Sequence, residues 1–339
     1  MKGRVVALGT LGGREVAALM EDGRLADLLV ETDGPRPGDV HRAVVQRPLK
    51  GQGGVMLRMD GTSGWLRGGK GLREGEAMTV QVTGHAEPGK APPVTDRPLF
   101  KSRYAIATPG ATGVNVSRAI RDEEEADRLR LIAHEAGAEA LIVRSAAEGV
   151  HEDALAEDIA AVMAAAKAVV SHEGTAPELL LRGDGPHALA WRDWPEPDAV
   201  ERGDDALERV GALDAIEALR SPRVPLGAHS MFVEPTRALV AVDVNTGADG
   251  SLAAGLKANI AALRELPRQL RLRGLGGQVT VDLAPLAKKD RRQVEQVAKA
   301  AFRADRVETT VAGWTPLGHL ELQRKRERAP LDLAMLETP

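Results

Sequence analysis

Apolar and polar positions open the chain as strand, turn, strand: "GRVVALGT", then "REVAALMEDGRLADLLVE", with a hairpin signal at "EDGR". After a break at "GPRP", short apolar runs punctuated by glycine follow: "GDVHRAVVQRPL", "GGVMLRMDG", "SGWLRGG" and "LREGEAMTVQVTG". Strands this short and this closely spaced predict a small all-β barrel. The proline-rich "AEPGKAPPVTDRP" reads as its exit linker. The period then lengthens. "RYAIATPG" and "ALIVRSAAEG" read as strands around the charged helix "RDEEEADRLRLIAHEAG". "HEDALAEDIAAVMAAAKAVVSHEG" is a long helix with acids near its start, where the dipole favours them. "ELLLRGDGPHALAWRDWPEP" reads as strand-like chain ending at prolines, and "DALERVGALDAIEALRS" as helical. The last third alternates strand "SMFVEPTRALVAVDV", helix "LAAGLKANIAALRELPRQLRLRG", strand "GQVTVDLA", helix "KDRRQVEQVAKAAFRAD" and strand "VETTVAG". That order implies a mostly parallel sheet.

Composition narrows the class. The 339 residues allow two or three domains. Cysteine is absent, which excludes disulfides, thiolate zinc sites and cysteine nucleophiles. This suits a reducing cytoplasm, the expected location. No run of about 18 apolar residues occurs, so no membrane span is expected. The opening "MKGRVVALGTLGG" has too short an apolar stretch for a secretory signal. The net charge of −4 argues against a strongly basic nucleic-acid binder, although local patches can still hold phosphates. With aromatics at 2%, base-stacking platforms are few.

Two strands of the last sheet end alike. "LVAVDV" drives Asp243 toward the interior at a strand end, and "QVTVDL" places Asp282 near the end of the next. Ligands collect at the carboxyl ends of strands in open α/β sheets. Neighbouring strands lie about 5 Å apart, so two carboxylates there repel, and a divalent cation relieves the repulsion. Mg²⁺ suits one or two carboxylates plus waters and substrate phosphates. Asn245 shares a strand face with Asp243 and can orient it or hold a metal-bound water. An acid at a strand end also serves as a helix cap or turn former, and that reading stays open. Two basic clusters lie nearby, "RQLRLRG" with Arg271 and Arg273, and "LQRKRER" with Arg324, Lys325 and Arg326. They are either solvated faces and helix-dipole partners or phosphate contacts. Arg144 and Ser145 end a further strand, and an arginine fork with a hydroxyl can hold a phosphate. The histidines show no metal-ligand spacing, and no P-loop, G-x-S-x-G or dinucleotide-binding signature is convincing.

"TRALVAVDVNTG", "RQLRLRGLGGQVTVDL" and "DRVETTVAGWTPLGHLELQRKR" resemble, in order and spacing, the catalytic-core motifs of the ribonuclease E/G family of bacterial endoribonucleases. The earlier segments resemble the family's opening hairpin, its OB-type RNA-binding barrel and its 5′-end sensor, so the resemblance covers nearly the whole chain. It implies an α+β multidomain fold. An RNase H-like subdomain (1–35 and 181–222) is interrupted by the OB-type β-barrel (36–98) and the 5′-sensor subdomain (99–180). A DNase I-like α/β catalytic subdomain (223–332) follows. By the same resemblance Asp243 and Asp282 bind Mg²⁺, Asn245 supports Asp243, and Arg144 with Ser145 senses a 5′-monophosphate. The substrate implied is single-stranded RNA, cleaved in RNA processing or decay. Trp65 stands for one of the barrel's two RNA-stacking aromatics, and Met56 or Leu57 replaces the other. Pro285 stands where the family usually has a further acid, and Ala248 and Asp249 where it usually has a basic residue. The family's zinc-sharing cysteine pair is absent, so no zinc-linked tetramer is expected, while a homodimer through the catalytic subdomain stays open. The alternative is a catalytically weak or inactive paralogue that acts as an RNA-binding protein.

Overall fold

The computed structural model describes residues 2–49, 53–87 and 89–336. Two compact units are present, one formed by Met1–Thr32 with Glu196–Pro339 and the other by Asp33–Pro195. Residues 181–195 lie in the second unit.

The first unit begins with a meander, Arg4–Leu11, Arg14–Glu21 and Arg24–Val30, joined on its outer edge by a parallel strand, Ala199–Arg202. Its second turn is the one "EDGR" predicts, with Asp22 and Gly23 at φ 49° and 76°. Positive φ at both central residues matches the twist of the flanking strands. Val5, Ala7, Val16, Ala18, Met20 and Leu28 make one face that packs on Leu207 and Ile216. Those two residues sit on separate short helices, Ala206–Arg209 and Ala212–Glu217. Gly211 (φ 72°) divides what the sequence reads as one helical stretch.

The rest of this unit is a six-stranded sheet. Its order is Arg223–Leu226, His229–Pro235, Val240–Asn245, Gly277–Asp282, Leu320–Arg324, Thr309–Trp314. The expected mostly parallel sheet is corrected: only Val240–Asn245 with Gly277–Asp282 is a parallel pair. "SMFVEPTRALVAVDV" is a hairpin rather than one strand, with Thr236 Oγ1 donating to the Leu239 carbonyl across its turn at 2.8 Å. "TPLG" makes a second tight turn, and "LELQR" is the strand that returns from it. Short turns connect antiparallel neighbours, so each missed turn adds an antiparallel strand, His229–Pro235 beside the Asp243 strand and Leu320–Arg324 beside the Asp282 strand. The helices Leu252–Leu272 and Arg291–Ala304 cover one face of this sheet, where Val242, Val244, Val279 and Val281 pack on Leu263, Leu266, Val294, Ala298 and Phe302.

In the second unit, Val40–Leu49, Gly54–Met59, Thr62–Arg67, Pro93–Thr95 and Ala77–Val82 close into a five-stranded barrel, consistent with an OB-type fold. The exit linker expected at 86–98 is therefore corrected, because it contains a barrel strand. Its prolines still accept hydrogen bonds: Trp65 N–H donates to the Pro92 carbonyl and Thr83 N–H to that of Pro93. Val94 fills the interior. A separate sheet, ordered Gly113–Val116, Ala140–Val143, Ala105–Ala107, Phe100–Lys101, packs on the helices Glu123–Glu135 and Glu152–Val170. The strand Glu178–Leu181 then joins the edge of Val40–Leu49. The following residues, expected as extended chain, form the helix Pro186–Asp193. Proline at a first helical position costs no hydrogen bond, so it starts this helix rather than forbidding it. Among the described residues no helix is long and apolar enough to cross a membrane.

Candidate functional site

Asp243 lies directly opposite Asp282 in the parallel register of their strands. Asn245 Nδ2 donates to Asp243 Oδ2 at 2.7 Å. The expectation that the apolar run drives Asp243 inward is corrected. Alternation puts Val242 and Val244 in the core and Asp243 and Asn245 on the opposite, exposed face. The Asp282 side chain is 65% exposed. The carboxylates therefore keep their hydration and need no buried counter-charge. Among the described residues, no group of three or more His, Cys, Asp or Glu side chains is placed to hold a metal.

The loops that follow both acids are held largely by residues outside the acid-bearing motifs. Asn259, fully buried on the helix Leu252–Leu272, donates to the Ala284 carbonyl and accepts from the Ala284 N–H, both at 2.9 Å. One turn earlier, a Cβ on Gly255 would stand 2.1 Å from the Pro285 carbonyl, so glycine lets the helix close on the loop. Pro285, which replaces the expected acid, is thus part of the contact that holds the end of the Asp282 strand. After Asp243, His229 Nδ1 lies 3.0 Å from the Thr246 carbonyl. Asp249 accepts from the Ser251 N–H at 2.9 Å, and Ser251 caps the helix through the Ala254 N–H. The Ser251 hydrogen bonds hold the Asp249 carboxyl below its ordinary pKa. His319 Nδ1, in the turn "TPLGH", is 3.4 Å from Asp282 Oδ1, without the alignment of a hydrogen bond. One signal for Asn259 was legible: it is an amide on the apolar stripe of a helix, and a buried amide requires partners.

The basic clusters separate into an interior set and a surface set. Arg324 is 1% exposed, pairs with Asp305 at 2.7 Å and donates to Thr309 Oγ1 at 2.9 Å. Burial lowers its pKa to about 10. Arg271 pairs with Asp305 and donates to the Ala26 carbonyl at 2.9 Å. Arg273 reaches Gln269 and the Ser221 carbonyl. These three arginines, expected as RNA contacts, are committed to internal partners: Arg271 and Arg324 supply counter-charge to buried Asp27 and Asp305, and Arg273 meets Gln269 and a carbonyl. Lys325 and Arg326 are exposed, Lys325 paired with Glu308 and the Arg326 guanidinium lying against Gly277.

In the second unit, Arg144 follows the strand Ala140–Val143. Its guanidinium donates to the Ser102 carbonyl at 2.6 Å, the Arg192 carbonyl at 3.3 Å and Asp193 Oδ1 at 2.8 Å. Ser145 beside it is exposed. Asp193 also pairs with Arg192. Burial works to raise the Asp193 pKa, but hydrogen bonds from Arg192 and Arg144 outweigh it and leave the carboxyl below its ordinary value. On the barrel, Trp65 pairs in register with Met56, and its ring covers Gly54, where a Cβ would lie 2.3 Å away. Of the two candidates for the replaced aromatic, Leu57 fills the barrel interior and Met56 is half-buried beside a groove of about 550 Å³ shared with Val44, Gln46, Arg58 and Glu74.

A family model, that of the ribonuclease E/G family, matches residues 100–202 and 198–327. The chain belongs to the ribonuclease E/G family. Among its relatives, a ribonuclease E of Nostoc sp. is 29% identical over 92% of this chain and 54% of its own length. A ribonuclease G of Salmonella typhimurium is 30% identical over 77% of this chain and 62% of its own length. A ribonuclease E of Synechocystis sp. is 29% identical over 92% of this chain and 56% of its own length. The chain thus spans a little over half the length of these relatives. Within this ribonuclease E/G family member, the second family-model match runs across both Asp243 and Asp282 and ends short of Arg328, while Trp65 and Met56 precede the first match.

Proposed function

We propose that the chain is an endoribonuclease that cleaves single-stranded RNA with the help of Mg²⁺, acting in RNA processing or decay. The observation that carries the reading is the register: Asp243 opposite Asp282, with Asn245 bonded to Asp243, at neighbouring strand ends on an open face. Membership in the ribonuclease E/G family supports it. Two carboxylates with solvent around them fit Mg²⁺, which binds through one or two acids and keeps several waters. When bound there, it supplies a water of lowered pKa and stabilises charge at the scissile phosphodiester. Asn245 fixes the Asp243 carboxylate, and the Asn259–Ala284 contact fixes the segment after Asp282. Trp65 and Met56 on the barrel are RNA contacts of the second unit, and Lys325 and Arg326 beside the six-stranded sheet are RNA contacts of the first. Arg271, Arg273 and Arg324 serve the interior instead. The subdomains expected from the sequence, RNase H-like, OB-type, 5′-sensor and DNase I-like, complete the proposal. Arg144 and Ser145 receive a 5′-monophosphate, which must displace Asp193 from Arg144.

Incubating a 5′-monophosphorylated, A/U-rich single-stranded RNA with the protein tests this. Discrete products with Mg²⁺ and none with EDTA are expected. A second reading, an RNA-binding paralogue that does not cut, draws on Met56 in place of an aromatic and on the internal commitment of three arginines. A salt-dependent gel shift with no Mg²⁺-dependent product would select it.

A further inference from the structure

The chain has four tryptophans, one tyrosine and three phenylalanines. Among the described residues Trp191 is the only aromatic residue that is mostly exposed, at 57%. The helix Pro186–Asp193 turns Ala190 inward, and Trp194 just beyond it is also buried, so core packing does not require an indole at 191. The ring is nevertheless held firmly. The Arg103 guanidinium lies 4.4 Å from its centroid, and Arg103, itself only 8% exposed, donates to the Trp191 carbonyl. A buried cation beneath an exposed indole fixes the ring plane at little entropic cost. The same backbone reaches Arg144, because the next carbonyl, that of Arg192, accepts from the Arg144 guanidinium. On the other side, Arg144 N–H donates to the carbonyl of Tyr104, the neighbour of Arg103. An aromatic plane and a phosphate-type arginine fork therefore belong to one continuous patch.

We infer that Trp191 is a stacking platform for a nucleobase at the 5′ end of the RNA, so that the patch binds a terminal nucleotide rather than a phosphate alone. The inference rests on the reading of Arg144 as a 5′-phosphate contact. A phosphate held by Arg144 carries a ribose and base that must lie nearby, and every base offers a π-face to an indole. Purines, with the larger face, bind more tightly than pyrimidines at this end.

The test uses the full chain in EDTA, with a 5′-monophosphorylated, 3′-fluorescein decaadenylate, the same decamer with an abasic first residue, and a 5′-hydroxyl decaadenylate. Fluorescence anisotropy gives Kd for each with wild type, Trp191→Ala and Trp191→Phe. Wild type is expected to lose about 5- to 100-fold in affinity when the first base is removed. Trp191→Ala shows no such difference, and Trp191→Phe restores most of it. Because the ring is exposed, thermal unfolding of Trp191→Ala should match wild type. A base effect that survives in Trp191→Ala, or that wild type lacks, overturns the platform. Equal binding of the 5′-hydroxyl and 5′-monophosphate decamers overturns the phosphate role of Arg144 instead, a separate result from the abasic comparison.

Discussion

The Asn245 amide holds one oxygen of Asp243, and that contact does little for folding because both side chains face solvent. On the proposed function its value is orientation. Partners of metal-binding carboxylates typically contribute 10- to 100-fold to affinity. Asn245→Ala should therefore weaken Mg²⁺ binding by about that factor in isothermal titration calorimetry, with an unchanged unfolding temperature. An unchanged affinity would leave Asn245 without a role at the site. Asp193 is the converse case, since it occupies the arginine that the proposal offers to a phosphate. Asp193→Asn removes that competition, and the ratio of 5′-monophosphate to 5′-hydroxyl binding should rise. A fall in the ratio would mean that Asp193 orders Arg144 for the phosphate rather than blocking it. At this scale the sequence displayed the two acids by their matching strand ends, and Arg144 as a strand-end arginine beside a hydroxyl, given its 5′-phosphate role by resemblance alone. It did not display the partners, because Asn259–Ala284 and Arg144–Asp193 join residues far apart in the chain.

The helix Leu252–Leu272 is the element that sets the position of the Asp282 strand end. Removing the Asn259 amide leaves the buried N–H and C=O of Ala284 unpaired, at about 1–3 kcal/mol each. Asn259→Ala should lower stability by about 2–4 kcal/mol in urea denaturation and reduce cleavage further than the loss of folded protein explains. Gly255→Ala presses a methyl onto the Pro285 carbonyl and should cost about 1–3 kcal/mol or more. Wild-type stability in Gly255→Ala would contradict the close approach. The elements themselves were legible where periodicity was long: both helices of the six-stranded sheet and the strands carrying Asp243 and Asp282 stand where the apolar pattern puts them. What periodicity hid were turns. "EPTRAL" lacks glycine, so the hairpin of the Asp243 strand read as one strand. Pro93 lay in the expected linker and Pro186 inside a piece read as strand-like, while Pro93 begins a strand of the closed barrel and Pro186 begins a helix.

Across the first unit, buried Asp27 draws the N-terminal meander and the C-terminal arginines into one network through Arg328, Arg271 and Arg306. Burial alone would raise the Asp27 pKa, but Arg328 and Arg271 outweigh it and hold the carboxyl below its ordinary range. A depressed folded pKa adds stability that is present above the unfolded value, about 3.9, and lost as pH falls through the folded one. Urea unfolding between pH 6 and pH 2 should therefore show a loss below about pH 4 that Asp27→Asn flattens. At pH 7 the variant should be about 1–3 kcal/mol less stable, because Arg328 and Arg271 lose a charged partner at a buried acid. A wild-type profile that the substitution leaves unchanged would remove Asp27 from the account. Net charge could not reveal this network, since an arginine run reads the same whether it faces water or an internal acid. On the proposed function, Asp243 and Asp282 together make RNA cleavage possible. Single-turnover cleavage of a 5′-monophosphorylated A/U-rich RNA in Mg²⁺, by wild type, Asp243→Asn and Asp282→Asn, tests it most directly. Wild type is expected to cut, and each variant to fold and bind RNA while losing at least about 100-fold in rate. Cleavage by either variant at the wild-type rate would contradict it.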